Sequence, residues 1–264
     1  MRDLAAALLS PPLLINAPVR LRHPLAGSVW FSQPNTLTDW LEAQNSDPHD
    51  LIAWLNLQPT QRLGRYYEKL WGYALQHAPD IHVIAQNLVI QGAQQTLGEL
   101  DMLYEDAQGV HHLELAAKFY LAPAKAHSHA QDWRGPDSRD SLADKLNRLA
   151  NHQLRLTEQP LVQEHLRALG IGRIQSSAWL GGMLFTQQCF THLARWQYHG
   201  VLDEGIWVEV PKLGWLTPVI TDKPCSFTQD ASRIQMLARL APYQGRYVEC
   251  ERRLLMPYNW PNRR

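Results

Sequence analysis

Apolar and polar residues alternate through Leu97 to Leu121, LGELDMLYEDAQGVHHLELAAKFYL, and this period of two predicts a β-hairpin. Leu100, Met102 and Tyr104 mark the first arm. Asp106-Ala107-Gln108-Gly109 makes the turn, and Val110 to Leu121 forms the second arm. A turn centred between Ala107 and Gln108 sets residues whose numbers sum to 215 opposite one another. The second arm is nearly apolar on both faces, as a central strand would be. Residues 81–91, IHVIAQNLVIQ, read as a preceding strand, with Gly92 to Thr96 turning into the hairpin. The helical period takes over in TQRLGRYYEKLWGYALQH, residues 60–77. There Leu63, Tyr67, Leu70 and Ala74 form one stripe, and Thr60 can cap it. Gly64 would let a strand approach closely and aim Glu68 at the sheet, and an exposed Glu68 paired with Arg65 at i−3 is the structural alternative. Residues 138–155 form a second amphipathic helix, with Leu142, Leu146 and Leu149 on its apolar face.

The ends read less sharply. Residues 1–58 look helical with interruptions. Downstream, the pattern predicts a helix over Pro160–Leu169 and a strand over Arg173–Phe185 bent at Gly181-Gly182. It also predicts strands at Ile206–Val210 and Trp215–Ile220, a helix over Ser232–Leu240 and a basic surface tail from Arg246. Together these describe an α/β or α+β fold, a mixed central sheet flanked by helices. A helical segment (1–58) would precede an α/β domain (59–264), the two making one compact unit.

Composition narrows the class. Of 264 residues 45% are apolar and ten are tryptophan, enough for a large core. Net charge is zero, so nucleic-acid binding would have to rest on local patches. Cys189, Cys225 and Cys250 are too far apart for a zinc knuckle or a disulfide scaffold and fit a reducing cytoplasm. The first fifteen residues are too short and too proline-cut for a signal peptide or a spanning helix. The expectation is a soluble cytoplasmic protein. No nucleophile elbow, P-loop or dinucleotide glycine fingerprint occurs.

Candidate chemistry gathers in the hairpin. Residues 97–117 carry five acids (Glu99, Asp101, Glu105, Asp106, Glu114) and no Lys or Arg. The expected register places Asp101 opposite Glu114, and like charges so placed destabilise a strand pair unless solvent or a cation intervenes. Lys118 shares the Glu114 face by the strand period. Two carboxylates with a lysine suit a magnesium-dependent phosphodiesterase, in which Asp101 and Glu114 hold Mg2+ or Mn2+ and Lys118 assists. A Glu114–Lys118 or Asp101–Lys118 salt bridge is the structural alternative. His111 and His112 lie near the turn on the second arm, on opposite faces, and read as exposed. His127 and His129 lie in a proline- and glycine-containing loop and are too few for a metal site. Lys145, Arg148, His152 and Arg155 form a basic stripe on the 138–155 helix.

The run GELD, a short turn and then an apolar strand carrying Glu114 and Lys118 resembles the core hairpin of the PD-(D/E)XK nuclease superfamily. The longer pattern LGRYYEKLW, GELDMLY, HLELAAKFYL and GPDSRDSLADKLNRL resembles a bacterial family of unknown function assigned to that superfamily. The resemblance is best over residues 60–155. It implies a restriction-endonuclease-like core and metal-dependent cleavage of DNA or RNA. In that reading Glu68 is a supporting acid, and Lys145 and Arg148 contact phosphates. One departure stands out. The usual motif is Glu-x-Lys, and here Ala116 occupies the lysine position, with Lys118 one strand repeat, roughly 6.5–7 Å, further on. A catalytically inactive module that binds nucleic acid or protein is the competing reading. A surface acidic ribbon with no nucleic-acid role is the third.

Overall fold

The computed structural model describes residues 1–122, 129–187 and 194–261. Four helices come first: α1 (Arg2–Leu9), α2 (Val29–Ser32), α3 (Pro34–Ser46) and α4 (His49–Leu57). Helix α5 (Leu63–His77) leads into strands β1 (His82–Gln91), β2 (Thr96–Asp106) and β3 (Gly109–Ala122). Then follow α6 (Leu142–Arg148), α7 (Pro160–Ala168), β4 (Ile174–Thr186), β5 (Ala194–Tyr198), β6 (Ile206–Glu209), β7 (Ile220–Thr221), β8 (Gln235–Tyr243) and β9 (Arg246–Met256). Hydrogen bonding makes a nine-stranded mixed sheet in the order β1-β2-β3-β4-β5-β9-β8-β6, with β7 on β9. The fold is mixed α/β, as the periodicity predicts.

Contacts divide the chain into two interleaved units, residues 1–117 with 146–181 and residues 118–145 with 182–264. In the first, β2 and β3 pair antiparallel with Met102 opposite Leu113 and Tyr104 opposite His111, the register expected from the turn. On β1 and β2, Ile90, Leu100 and Leu103 pack with Leu156, Val162, Leu166 and Ile171 from the segment around α7. Helix α5 buries Leu63, Tyr67, Leu70, Trp71 and Ala74, a stripe at helical spacing. Gly64 meets nothing within 4 Å, contrary to expectation. The close approach falls instead at Gly72, where a Cβ would lie 2.5 Å from the Gln86 side-chain oxygen on β1. Thr60 accepts from the Arg62 N–H at 3.1 Å and so shapes the lead-in rather than capping the helix.

His111 and His112 are buried, not exposed. A turn of four residues leaves both on the ladder, and the hairpin arms carry them into the interior. The His111 ring stacks on Tyr104 at 5.2 Å. Its Nε2 lies 3.0 Å from Asp106. Asp106 also accepts from Arg22 at 2.5 Å and from the Gln108 N–H at 2.7 Å. Burial opposes ionisation of Asp106, but the Gln108 amide, His111 and Arg22 together hold its carboxyl below the ordinary range.

In the second unit β8 and β9 form a hairpin, β6 extends it and β5 runs parallel to β9. Residues 232–240 are therefore not helical. Their good helix formers are outweighed by the cross-strand ladder from Gln235–Leu255 to Tyr243–Arg246. The expected strand over residues 215–220 reduces to a 3-10 turn, Lys212–Leu216, and the two-residue β7. The tail from Arg246 is a strand, and Arg252 and Arg253 are buried in it. Arg253 bonds Gln197, Asp203 and Glu251 and lies over the Trp207 ring at 4.6 Å. Gly182 takes φ +120°, and a Cβ there would stand 1.8 Å from the Lys118 carbonyl oxygen. Only glycine fits that bend.

The 138–155 segment is shorter as a helix than its periodicity predicts. It is α-helical over Leu142–Arg148 and continues as a π-helical turn over Leu149–Gln153. Such turns occur preferentially at functional sites.

Candidate functional site

Glu114 is 1% exposed and hydrogen-bonded through both carboxylate oxygens. Its Oε1 lies 3.0 Å from His112 Nε2, and its Oε2 accepts from the Gln153 side-chain amide. His112 Nδ1 in turn lies 3.2 Å from Ser176 Oγ, and Ser176 shares a 2.8 Å hydrogen bond with Thr157. An ionised Glu114 selects the His112 tautomer with hydrogen on Nε2, which leaves Nδ1 to accept from Ser176. The result is a continuous hydrogen-bonded chain, Gln153–Glu114–His112–Ser176–Thr157, buried at Glu114, His112 and Thr157 and half-buried at Gln153 and Ser176. Strand alternation puts His112 and Glu114 on one face, and the π-turn brings Gln153 to them.

Asp101 takes a different role. Its Oδ2 accepts from the Leu115 backbone N–H at 3.0 Å, so the side chain serves the strand backbone. Glu68 lies on α5 and pairs with Arg65 at 2.8 Å. Arg65 also reaches Glu99 at 2.7 and 3.0 Å and bonds Asn87, which has φ +51°. Burial raises the Glu68 pKa, Arg65 opposes this, and the charges of Glu99 and Glu114 push it up further. Glu68 is thus in the electrostatic reach of Glu114. The Arg65–Glu68 pair is the structural alternative that helix spacing offers, and Glu99, which joins the same cluster through Arg65, was not anticipated there.

In the other unit, Lys118 donates to Asp140 at 2.6 Å, and the Tyr120 hydroxyl lies 3.4 Å from the same carboxylate. Asp140 also packs against Gly135, where a Cβ would sit 2.1 Å from its Oδ1. The lysine's ion pair is therefore with Asp140 rather than with either hairpin acid. Ala116, at the usual lysine position, is buried. Lys145 is half-buried, and Arg148 is exposed. His127 and Cys189 lie outside the described residues, while His129 bonds Asp132 in a 3-10 turn.

A family model described as a domain of unknown function, DUF1853, matches residues 2–256. The chain belongs to the DUF1853 family. No curated protein and no solved structure matches it. Among the described residues of this DUF1853 chain, no helix is long and apolar enough to cross a membrane.

The carboxylates do not fit a magnesium ion as they are arranged. A hard cation needs free oxygen ligands converging at about 2.0–2.1 Å. Both Glu114 oxygens are committed to His112 and Gln153, and one Asp101 oxygen to Leu115. Among the described residues no three His, Cys, Asp or Glu side chains converge as a metal cluster would. Gln153, Ser176 and Thr157 escaped the sequence reading because they become neighbours of Glu114 and His112 only in the fold. The run His111-His112-Leu113-Glu114 held the one visible sign, an imidazole and a carboxylate two apart on a strand.

Proposed function

We propose that this chain is a nuclease-like module that binds nucleic acid without a pre-formed magnesium site. The observation that carries this reading is the wiring of Glu114, whose two oxygens serve His112 and Gln153 instead of an open coordination position. The resemblance of GELD and HLELAAK to the PD-(D/E)XK hairpin, with its restriction-endonuclease-like core, supplies the substrate class. Arg148 and Arg155 are exposed cations suited to phosphate contact, and Lys145 adds a third.

The test measures binding of single- and double-stranded DNA and RNA in the presence of a chelator. Binding that Asp101→Ala leaves largely intact supports the module. Calorimetry with Mg2+ and Mn2+ belongs beside it, on the wild type, Asp101→Ala and Glu114→Ala. Metal binding lost in both variants, together with cleavage, would transfer the assignment to a metal-dependent nuclease. Failure to bind any of the four nucleic acids would sink both readings.

The nuclease is the second reading because of Glu68. Burial keeps the Glu68 carboxyl raised even with Arg65 beside it, and the charges of Glu99 and Glu114 add to this, so a second cation would bring further relief. That reading requires Glu114 to exchange its Gln153 contact for metal. It would assign Glu68, Asp101, Glu114 and Lys118 to catalysis.

A further inference from the structure

A cavity of about 520 Å³ opens in the first unit beside the hydrogen-bonded chain, within the range that takes small organic ligands. It is lined by residues from three stretches: residues 18–20, the π-helical turn and the chain after it as far as α7 (150–163), and the start of β4 with the residues just before it (172–176). Arg20, Arg155 and Arg173 contribute to its wall, against the single acid Glu158. Guanidinium groups stay charged at any working pH, and their planar forks match phosphate oxygens two at a time. The excess of two positive charges equals the charge of a phosphate monoester dianion.

The polar part of the wall is pre-organised. Ser176 and Thr157 line the cavity and bond each other at 2.8 Å. Ser176 is held from behind by His112, and His112 by Glu114. Arg20 is steadied by a 2.8 Å bond to Gln175. Held groups lose little freedom when a ligand arrives. The volume also exceeds what a bare phosphate needs, leaving room for the group that carries it.

We propose that this cavity binds a phosphate monoester borne on an organic group, through Arg20, Arg155 and Arg173. Two sources share that chemistry, a terminal phosphate of a nucleic-acid strand and a free mononucleotide. The first of these rests on the nucleic-acid reading above, and the second does not.

Full-length protein is titrated with short oligonucleotides carrying a 5′-phosphate, a 3′-phosphate or only hydroxyl ends, and separately with adenosine monophosphate. The same probes are applied to Arg155→Ala/Arg173→Ala, in which both replaced side chains are exposed and circular dichroism verifies the fold. The expected result is at least tenfold tighter binding of one phosphorylated oligonucleotide than of its hydroxyl twin, a preference the double variant loses. Adenosine monophosphate bound and lost in the variant, with no oligonucleotide bound, supports the cavity and overturns the nucleic-acid reading. Oligonucleotides bound equally with and without phosphate, with no mononucleotide binding, overturn the cavity and leave that reading in place. Phosphate-dependent binding that survives the double substitution also overturns it.

Discussion

At the scale of single residues, several buried polar groups in this protein find partners far away in sequence. Arg22 is the clearest case, with Asp106 at 2.5 Å, Gln108 at 2.7 Å and the Tyr104 hydroxyl at 3.2 Å. Arg22→Ala leaves a buried carboxylate without its cation and should cost about 3–5 kcal/mol in urea unfolding. Arg22→Ala with Asp106→Ala should cost less than the sum of the single variants. His23 sets a pH dependence. Burial lowers its pKa from 6.5 to about 4. Its Nδ1 accepts from the Leu25 N–H at 3.1 Å, a bond that needs the neutral ring. Above pH 6.5 both folded and unfolded states carry a neutral imidazole. As pH falls below that, the unfolded state takes up a proton that the folded state refuses, so stability is lost until about pH 4. The loss should reach about 1–2 kcal/mol by pH 5, discounted for partial exposure. His23→Gln should flatten the profile, read as urea midpoints between pH 7 and 5. The depressed Asp106 and His111 pKa values act with the same sign.

Elements were most legible where their periods are local. Helix α5 and the β2–β3 hairpin follow from apolar spacing and a turn of four residues, and the register follows from the turn. The same logic misread β8, because Gln235 to Leu240 is rich in good helix formers and only pairing with β9 decides otherwise. Strand β4 depends on one residue at its bend. Gly182→Ala would place a Cβ 1.8 Å from the Lys118 carbonyl at φ +120°, so the expected loss is several kcal/mol, on the order of an overpacked and strained site together. Gly245→Ala is the control. It shares a positive φ, +78°, but meets nothing within 4 Å, so thermal unfolding should show a loss of only about 1 kcal/mol.

At the scale of the whole molecule, a net charge of zero means that any nucleic-acid affinity must come from local cations. Arg148 is exposed on α6 and offers the simplest test. Arg148→Ala should weaken binding about equally for different base sequences. It should also lower the slope of log affinity against log salt by about 1. An unchanged slope would remove Arg148 from the interface. Because the substitution is at an exposed position, the melting temperature serves as a control and should not move.

The sequence by itself determined the mixed α/β class, the acidic hairpin and its register, and the helices at 63–77 and 160–168. These depend on side-chain periods of two and 3.6, which neighbouring residues reveal. The tertiary structure alone decided what the hairpin acids do. Glu114 finds Gln153 39 residues away, and His112 finds Ser176 64 residues away. Lys118 finds Asp140 22 residues on. A buried carboxylate requires partners, and the sequence can say that much. Whether the partner is a cation, an imidazole or an amide depends on which distant segments the packing brings within 3 Å. No period in the chain encodes that choice.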